Sequence, residues 1–143
     1  MVVITTWYKP YQHLIGNLIM NEYVNFNANP INKKGCDCVV RAISKAIGEE
    51  WITVYHELCD IGAELYDMPF ATDVFGEYLK RKGWIWHPCK IENGKRPKVC
   101  NFNKANNAIL RVANHLVCVS DNKYYDTWDS GYKAVYGYWA KLN

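Results

Sequence analysis

Long apolar runs are missing from this sequence: nowhere do about eighteen consecutive apolar residues occur, so no helix is expected to span a bilayer. Charge of one sign is equally scarce. Lys and Arg number 17 against 14 Asp and Glu, a formal net of +3, which is too mild to argue for a nucleic-acid partner. The basic residues are spread along the chain except between Lys80 and Lys98, where "KRKG" and "GKRPK" occur. The opening "MVVITTWYKPYQHLIGNLIMNEY" has no basic n-region, and Tyr8, Lys9, Pro10, Gln12 and Asn17 break its apolar stretches, so no secretion signal is expected. There is no internal repeat, no low-complexity segment and no linker rich enough in Gly, Pro or Ser to divide the chain. Histidine is sparse, at 4 residues, and no paired ligands fit structural zinc. Cys36 and Cys38 lie closer together than the usual zinc spacing, and His87 with Cys89 is the one comparable pair, so no metal and no cofactor are expected.

What the chain does have is 143 residues of which 50% are apolar, enough for one domain with a core that needs no covalent or metal staple. Its 6 cysteines include Cys59 and Cys118 inside apolar periodic segments. The pattern reads as reduced thiols in a cytoplasmic protein.

The apolar period changes along the chain. From Cys38, the residues Val39, Val40, Ile43, Ala46 and Ile47 recur at helical spacing until Gly48. "EEWITVYHELCDIGAELY" and "ATDVFGEYLKRKG" then give two further amphipathic helices. After Gly83 the texture becomes short apolar or aromatic runs: "WIWHPCKI", "AILRVANHLVCV", "KYYDTW" and "AVYGYWAKL". "SDNK" between the second and third runs reads as a hairpin turn. The expected fold class is α+β, with N-terminal helices packed on a C-terminal antiparallel β-sheet. Residues 1–19 carry apolar groups without a stable period, interrupted by Pro10 and Gly16, and read as an accessory segment before a single domain over 20–143.

Two stretches carry chemistry. In "NPINKKGCDCVVRAISKAIG" a Pro/Asn/Gly-rich loop turns into a helix at Cys38. A thiol there meets the helix dipole and unpaired backbone N–H groups, which favour the thiolate, whereas Cys36 stays in the loop. Pattern alone leaves a buried core thiol open as the other account of Cys38. In "AILRVANHLVCV", read as one strand, alternation places Leu110, Val112, Leu116 and Cys118 on one face and Arg111, Ala113, His115 and Val117 on the other. Asp126 in "YYDTWDS" then comes near enough across a hairpin to accept the Nδ1 proton of His115, with Asp129 as the competing carboxylate. Cys38, His115 and Asp126 together form a nucleophile, a base and the group that orients it. Asn32, or else Asn29, is the candidate to complete an oxyanion hole with the Cys38 N–H. His13 and His56 have no matching partners and read as surface or helix-face residues.

At these residues the sequence resembles the papain-like cysteine peptidase superfamily, which carries a helix-borne Cys first and a sheet-borne His and Asp or Asn later. More closely, "NFNANPINKKGCDCVVRAISKAIGEEWITVYHEL" with "ANHLVCVSDNKYYDTWDS" resembles a group of small phage and bacterial proteins placed in that superfamily, over roughly residues 22–139. The motifs concerned are Asp37-Cys38, His115-Leu116 and Tyr125-Asp126-Thr127-Trp128. The resemblance implies a papain-like fold and a cysteine hydrolase acting on a peptide or protein, with Cys38 as nucleophile, His115 as base and Asp126 as orienter. An alternative within the same fold is a non-catalytic binding or inhibitor module directed at a host component.

Overall fold

The computed structural model describes residues 20–141, so the segment 1–19 read as accessory lies outside the described residues. The chain runs β1 (Glu22–Asn25), α1 (Cys38–Ile47), α2 (Trp51–Leu65), α3 (Thr72–Arg81), β2 (Trp84–Pro88), a 3-10 turn (Val99–Asn101), β3 (Asn107–Val112), β4 (His115–Ser120), β5 (Lys123–Asp126) and β6 (Gly137–Lys141). Over the described residues the architecture is α+β, with three helices and a six-stranded sheet in the order β1-β5-β4-β3-β6-β2. Among the described residues no helix is long and apolar enough to cross a membrane.

Each helix forms where the apolar period is strongest. In α1 the side chains of Val39, Val40 and Ile43 are buried, and Gly48, in the left-handed region at φ 76°, ends it by donating its N–H to the Ser44 carbonyl. In α2 the inward residues are Val54, Leu58 and Ile61, and in α3 they are Val74, Phe75, Tyr78 and Leu79. Together with Ile109, Leu116 and Trp139 of the sheet these make one core. A second core fills the opposite sheet face, where Leu110, Val112, Val117 and Val119 meet Val99, Phe102 and Val135 from the connecting loops.

Two features of the sheet differ from the expected pattern. The sheet is mixed, because β1 pairs in parallel with β5 from Glu22↔Lys123 to Asn25↔Asp126. A four-residue edge strand reading "EYVN" is too short and too polar to produce a periodic signal, and it precedes the helices instead of following them. Second, "AILRVANHLVCV" is a hairpin and not one strand. Asn114 takes φ 51° in the two-residue turn, and Val112 pairs with His115. That turn reverses the alternation beyond it: Leu116 joins Ile109 in the helix-side core, while Val117 and Val119 join Leu110 and Val112 on the other side. Both faces of these strands are buried, so polarity gave no sign of the switch. The "SDNK" turn falls where expected, with Asp121 and Asn122 at φ 50° and 61° between β4 and β5.

At the far edge, β6 pairs with β2 and with β3. Gly137 has no alternative there, since a Cβ would fall inside the Trp86 ring, which packs on Trp139 with centroids 4.4 Å apart. At the opposite edge, buried Asn21 donates its side-chain amide to the Val99 and Phe102 carbonyls at 3.0 and 2.8 Å, tying the start of β1 to the 3-10 turn.

Candidate active site

The N-terminus of α1 is built in an unusual way. Asp37 occupies the N-cap position but does not cap the helix with its side chain. Its carboxylate instead accepts Arg41 Nε at 2.9 Å and Trp51 Nε1 at 2.9 Å. The N–H groups of the first turn therefore receive no side-chain cap, and the positive end of the helix is left directed at whatever lies beside Cys38. Cys38 is the first residue of this helix.

Strand geometry brings the other two groups to the same place. His115 is the first residue of β4 and Asp126 the last of β5, and because these strands are antiparallel both lie at one end of the sheet. Helix α1 packs across β4, which sets Cys38 over that end. His115 Nε2 and Asp126 Oδ2 are 2.6 Å apart. The expected contact ran through Nδ1, and the structure corrects it: the ring presents Nε2, its farther nitrogen, to the carboxylate. Nδ1 is the ring nitrogen left free of Asp126. Which nitrogen faces the acid depends on how far the ring must reach from its own backbone, and no strand register encodes that distance. Cys38 lines one groove with His115 and Leu116, and its thiol is near enough to the imidazole and to the Leu116 N–H for both to act on its ionisation.

Asp126 is the most constrained member. It is 2% exposed, and besides His115 its carboxylate accepts the Ser130 hydroxyl at 2.7 Å, the Thr127 N–H at 2.8 Å and Arg41 Nη1 at 3.3 Å. Arg41, itself buried, also donates to Thr127 Oγ1 at 3.0 Å, so it bridges the Asp37 and Asp126 carboxylates beneath the site. The Trp128 ring packs against His115 with centroids 4.9 Å apart.

The electrostatics follow from these contacts. Burial is the largest influence on Cys38 and opposes ionisation, yet the His115 hydrogen bond, the Leu116 N–H and the positive charges of His115 and Arg41 outweigh it, and the thiol pKa lies below its ordinary value. For His115 burial again works against the charged form, but hydrogen bonds and charge from Asp126 and Cys38 prevail and raise its pKa to about 9. Burial likewise pushes the Asp126 pKa up, and His115, Ser130 and Thr127 more than reverse it, leaving the carboxyl below its usual range. Both shifts run in the direction of a thiolate facing an imidazolium.

The other expected residues are placed elsewhere. Asp129 turns away from His115 and is held by the Tyr124 hydroxyl and, at 3.0 Å, by the Gly131 N–H, so the carboxylate beside His115 is Asp126. Asn32 sits exposed at φ 55° in a loop turn and does not line the groove that holds Cys38 and His115. Asn29 hydrogen-bonds within the same loop and reaches Asp37 Oδ2 at 3.5 Å. Cys36 is exposed at the groove's rim. His87 stacks on Tyr138, with centroids 5.0 Å apart, and His56 packs edge-on to Tyr55; His13 lies outside the described residues. Among the described residues no group of three or more His, Cys, Asp and Glu is arranged to hold a metal ion, and the six cysteines are free thiols.

The groove has a volume of about 580 Å³. Besides Cys38 and His115, its lining includes Phe70, Thr72, Phe75, Arg111 and Trp128. Arg41, Ser130, Trp51 and Trp128 have parts in the site that the sequence pattern does not assign. Arg41 did leave a trace, as a charged residue four positions after Asp37 on an otherwise apolar helix face. Comparison of the chain with protein-family models, with curated proteins and with solved structures finds no match.

Proposed function

We propose that this protein is a cysteine hydrolase of papain-like type, acting by acyl transfer on a peptide or related amide, with Cys38 as nucleophile, His115 as acid and base, and Asp126 as the group that holds the imidazole. The observation that carries the reading is the meeting of three side chains: buried Asp126 at 2.6 Å from His115 Nε2, and the Cys38 thiol in the same groove as His115, at a helix N-terminus that no side chain caps. An open groove runs beside it.

In this mechanism the Cys38 thiolate attacks the substrate carbonyl carbon, forming a C–S bond and moving the carbonyl electron pair onto oxygen. The uncapped N–H groups of the first turn of α1 are the donors nearest to that oxyanion, in place of a side-chain amide from Asn32. Collapse of the tetrahedral intermediate expels the amine, which takes the Nδ1 proton of His115 as it leaves. The resulting thioester is hydrolysed when water gives its proton to the now neutral imidazole and adds to the acyl carbon, and Cys38 departs as the thiolate. Asp126 keeps the ring oriented and stabilises its charged form throughout.

The test is alkylation by iodoacetamide across pH 5 to 9 with the modified residue identified by peptide mass analysis. Cys38 should react first, with an inflection below the ordinary thiol value of about 8.5. Faster modification of Cys36, or a Cys38 profile that rises only around that ordinary value, overturns the assignment.

A further inference from the structure

A second cavity, of about 570 Å³, opens against the loop that joins β2 to β3 and shares no lining residue with the Cys38 groove. Its wall carries four cationic side chains, Lys90, Lys95, Arg96 and Lys104, against a single carboxylate, Glu92. Among the described residues none of these four forms an ion pair. Like charges gathered around one concavity repel each other, and low-dielectric walls focus their field into the space between them. Such an arrangement is relieved by an anion.

The site is built and not merely charged. The guanidinium of Arg96 lies over the Tyr136 ring at 5.0 Å, which fixes a planar donor fork, and its Nε is buried without any hydrogen-bond partner. Lys95 is held by a tight turn: Glu92 and Lys95 exchange backbone hydrogen bonds at 2.9 and 3.0 Å, with Asn93 and Gly94 at φ 52° and 75°. The far end of the loop is fixed by the Val135 N–H donating to the Pro97 carbonyl at 2.8 Å. At the buried Cys89 thiol, burial is the largest influence and raises the pKa, while Lys104 and Arg96 pull it the other way, which registers the positive field inside the cavity.

We propose that this cavity binds a small phosphorylated molecule of nucleotide size through its phosphate groups, with Arg96 as the bidentate contact and Lys90, Lys95 and Lys104 as point charges around it. The volume falls in the range of small-molecule sites, about 300–1,000 Å³. Four cations against one carboxylate suit a ligand carrying at least two negative charges, as a phosphate ester or polyphosphate does, better than a single carboxylate. The proposal does not rest on the assignment of Cys38.

The experiment is calorimetric titration of the full chain at low salt with inorganic tripolyphosphate and, separately, with ATP. Saturable one-to-one binding is expected, weakened at least tenfold by Arg96→Gln and by Lys104→Gln and unchanged by Arg111→Gln in the other groove. Equal affinity for the two probes supports recognition of phosphate alone, and at least tenfold tighter ATP supports a site that also holds the nucleoside. Failure of both probes to saturate at millimolar concentration overturns the proposal. So does an equal loss of affinity in Lys33→Gln or Lys34→Gln, exposed positions outside the cavity, since that pattern means diffuse charge attraction. Should Arg96→Gln fold poorly, judged by its melting temperature, the exposed Lys104 decides the outcome.

Discussion

Replacing Asp126 with Asn should act on stability and on thiol reactivity together, because the same carboxylate serves both. The side chain is 2% exposed and accepts from two cationic groups, Arg41 and His115, as well as from Ser130 and the Thr127 N–H. Leaving an uncompensated buried charge typically costs about 3–5 kcal/mol. Here Arg41 keeps its 2.9 Å pairing with Asp37, His115 can shed its proton, and Asn retains one acceptor, so the expected loss is smaller, about 2–3 kcal/mol. For a domain of this size that is a fall in melting temperature of about 5–10 °C. With the Asp126 charge gone, the His115 pKa drops from about 9 towards its ordinary value, the imidazolium is less populated at neutral pH, and the Cys38 thiol returns towards its own ordinary value. Thermal melting followed by circular dichroism reads the first effect, and the pH profile of iodoacetamide alkylation reads the second. A variant with an unchanged melting temperature and an unmoved alkylation inflection would refute the whole account of Asp126.

Three further outcomes are expected. Cys38→Ala should remove the fast-alkylating thiol and all hydrolytic activity while leaving the fold intact, whereas Cys36→Ala, at an exposed rim position, should keep both; the opposite pattern would move the nucleophile to the loop. Leu58→Ala, at a fully buried position in α2, should cost about 2–5 kcal/mol in denaturant unfolding, and a cost under about 1 kcal/mol would mean that the helix-side core repacks far more freely than its density suggests. Stability against pH should separate the wild type from Cys38→Ala. The raised His115 pKa contributes stability that is full below its unfolded value of about 6.5 and is lost as pH climbs through about 9, whereas the lowered Cys38 pKa contributes stability that grows with pH up to about 8.5. In the wild type the two slopes oppose each other wherever both groups titrate. Cys38→Ala loses the rising one, so its stability should decline above about pH 6.5; parallel profiles for the two proteins would show that the thiol and imidazole are not linked.

Local chemistry alone determined a good deal of this protein. Apolar spacing in "CVVRAISKAI" and in the two segments after it places three helices, and Gly48 stops the first of them, because amphipathic period and left-handed caps are properties of a few neighbouring residues. The position of Cys38 at a helix start was legible for the same reason. His115 and Asp126 were picked out differently, as a histidine and a carboxylate on short segments joined by "SDNK", and the structure sets the two side chains 2.6 Å apart. What depended on distant parts of the chain was not legible. The parallel β1 strand exists only because β5 offers it an edge, and the turn at Asn114 is hidden because both faces of β3 and β4 are buried, so a one-residue change of phase leaves the hydrophobic pattern looking the same. Tertiary packing also decided between Asp126 and Asp129, by giving the second to Tyr124, and turned Nε2 of His115 towards the acid. It brought Arg41 to Asp126 across 85 positions of sequence. Charges so far apart in the chain meet only when a helix crosses a sheet, and no reading of local pattern contains that crossing.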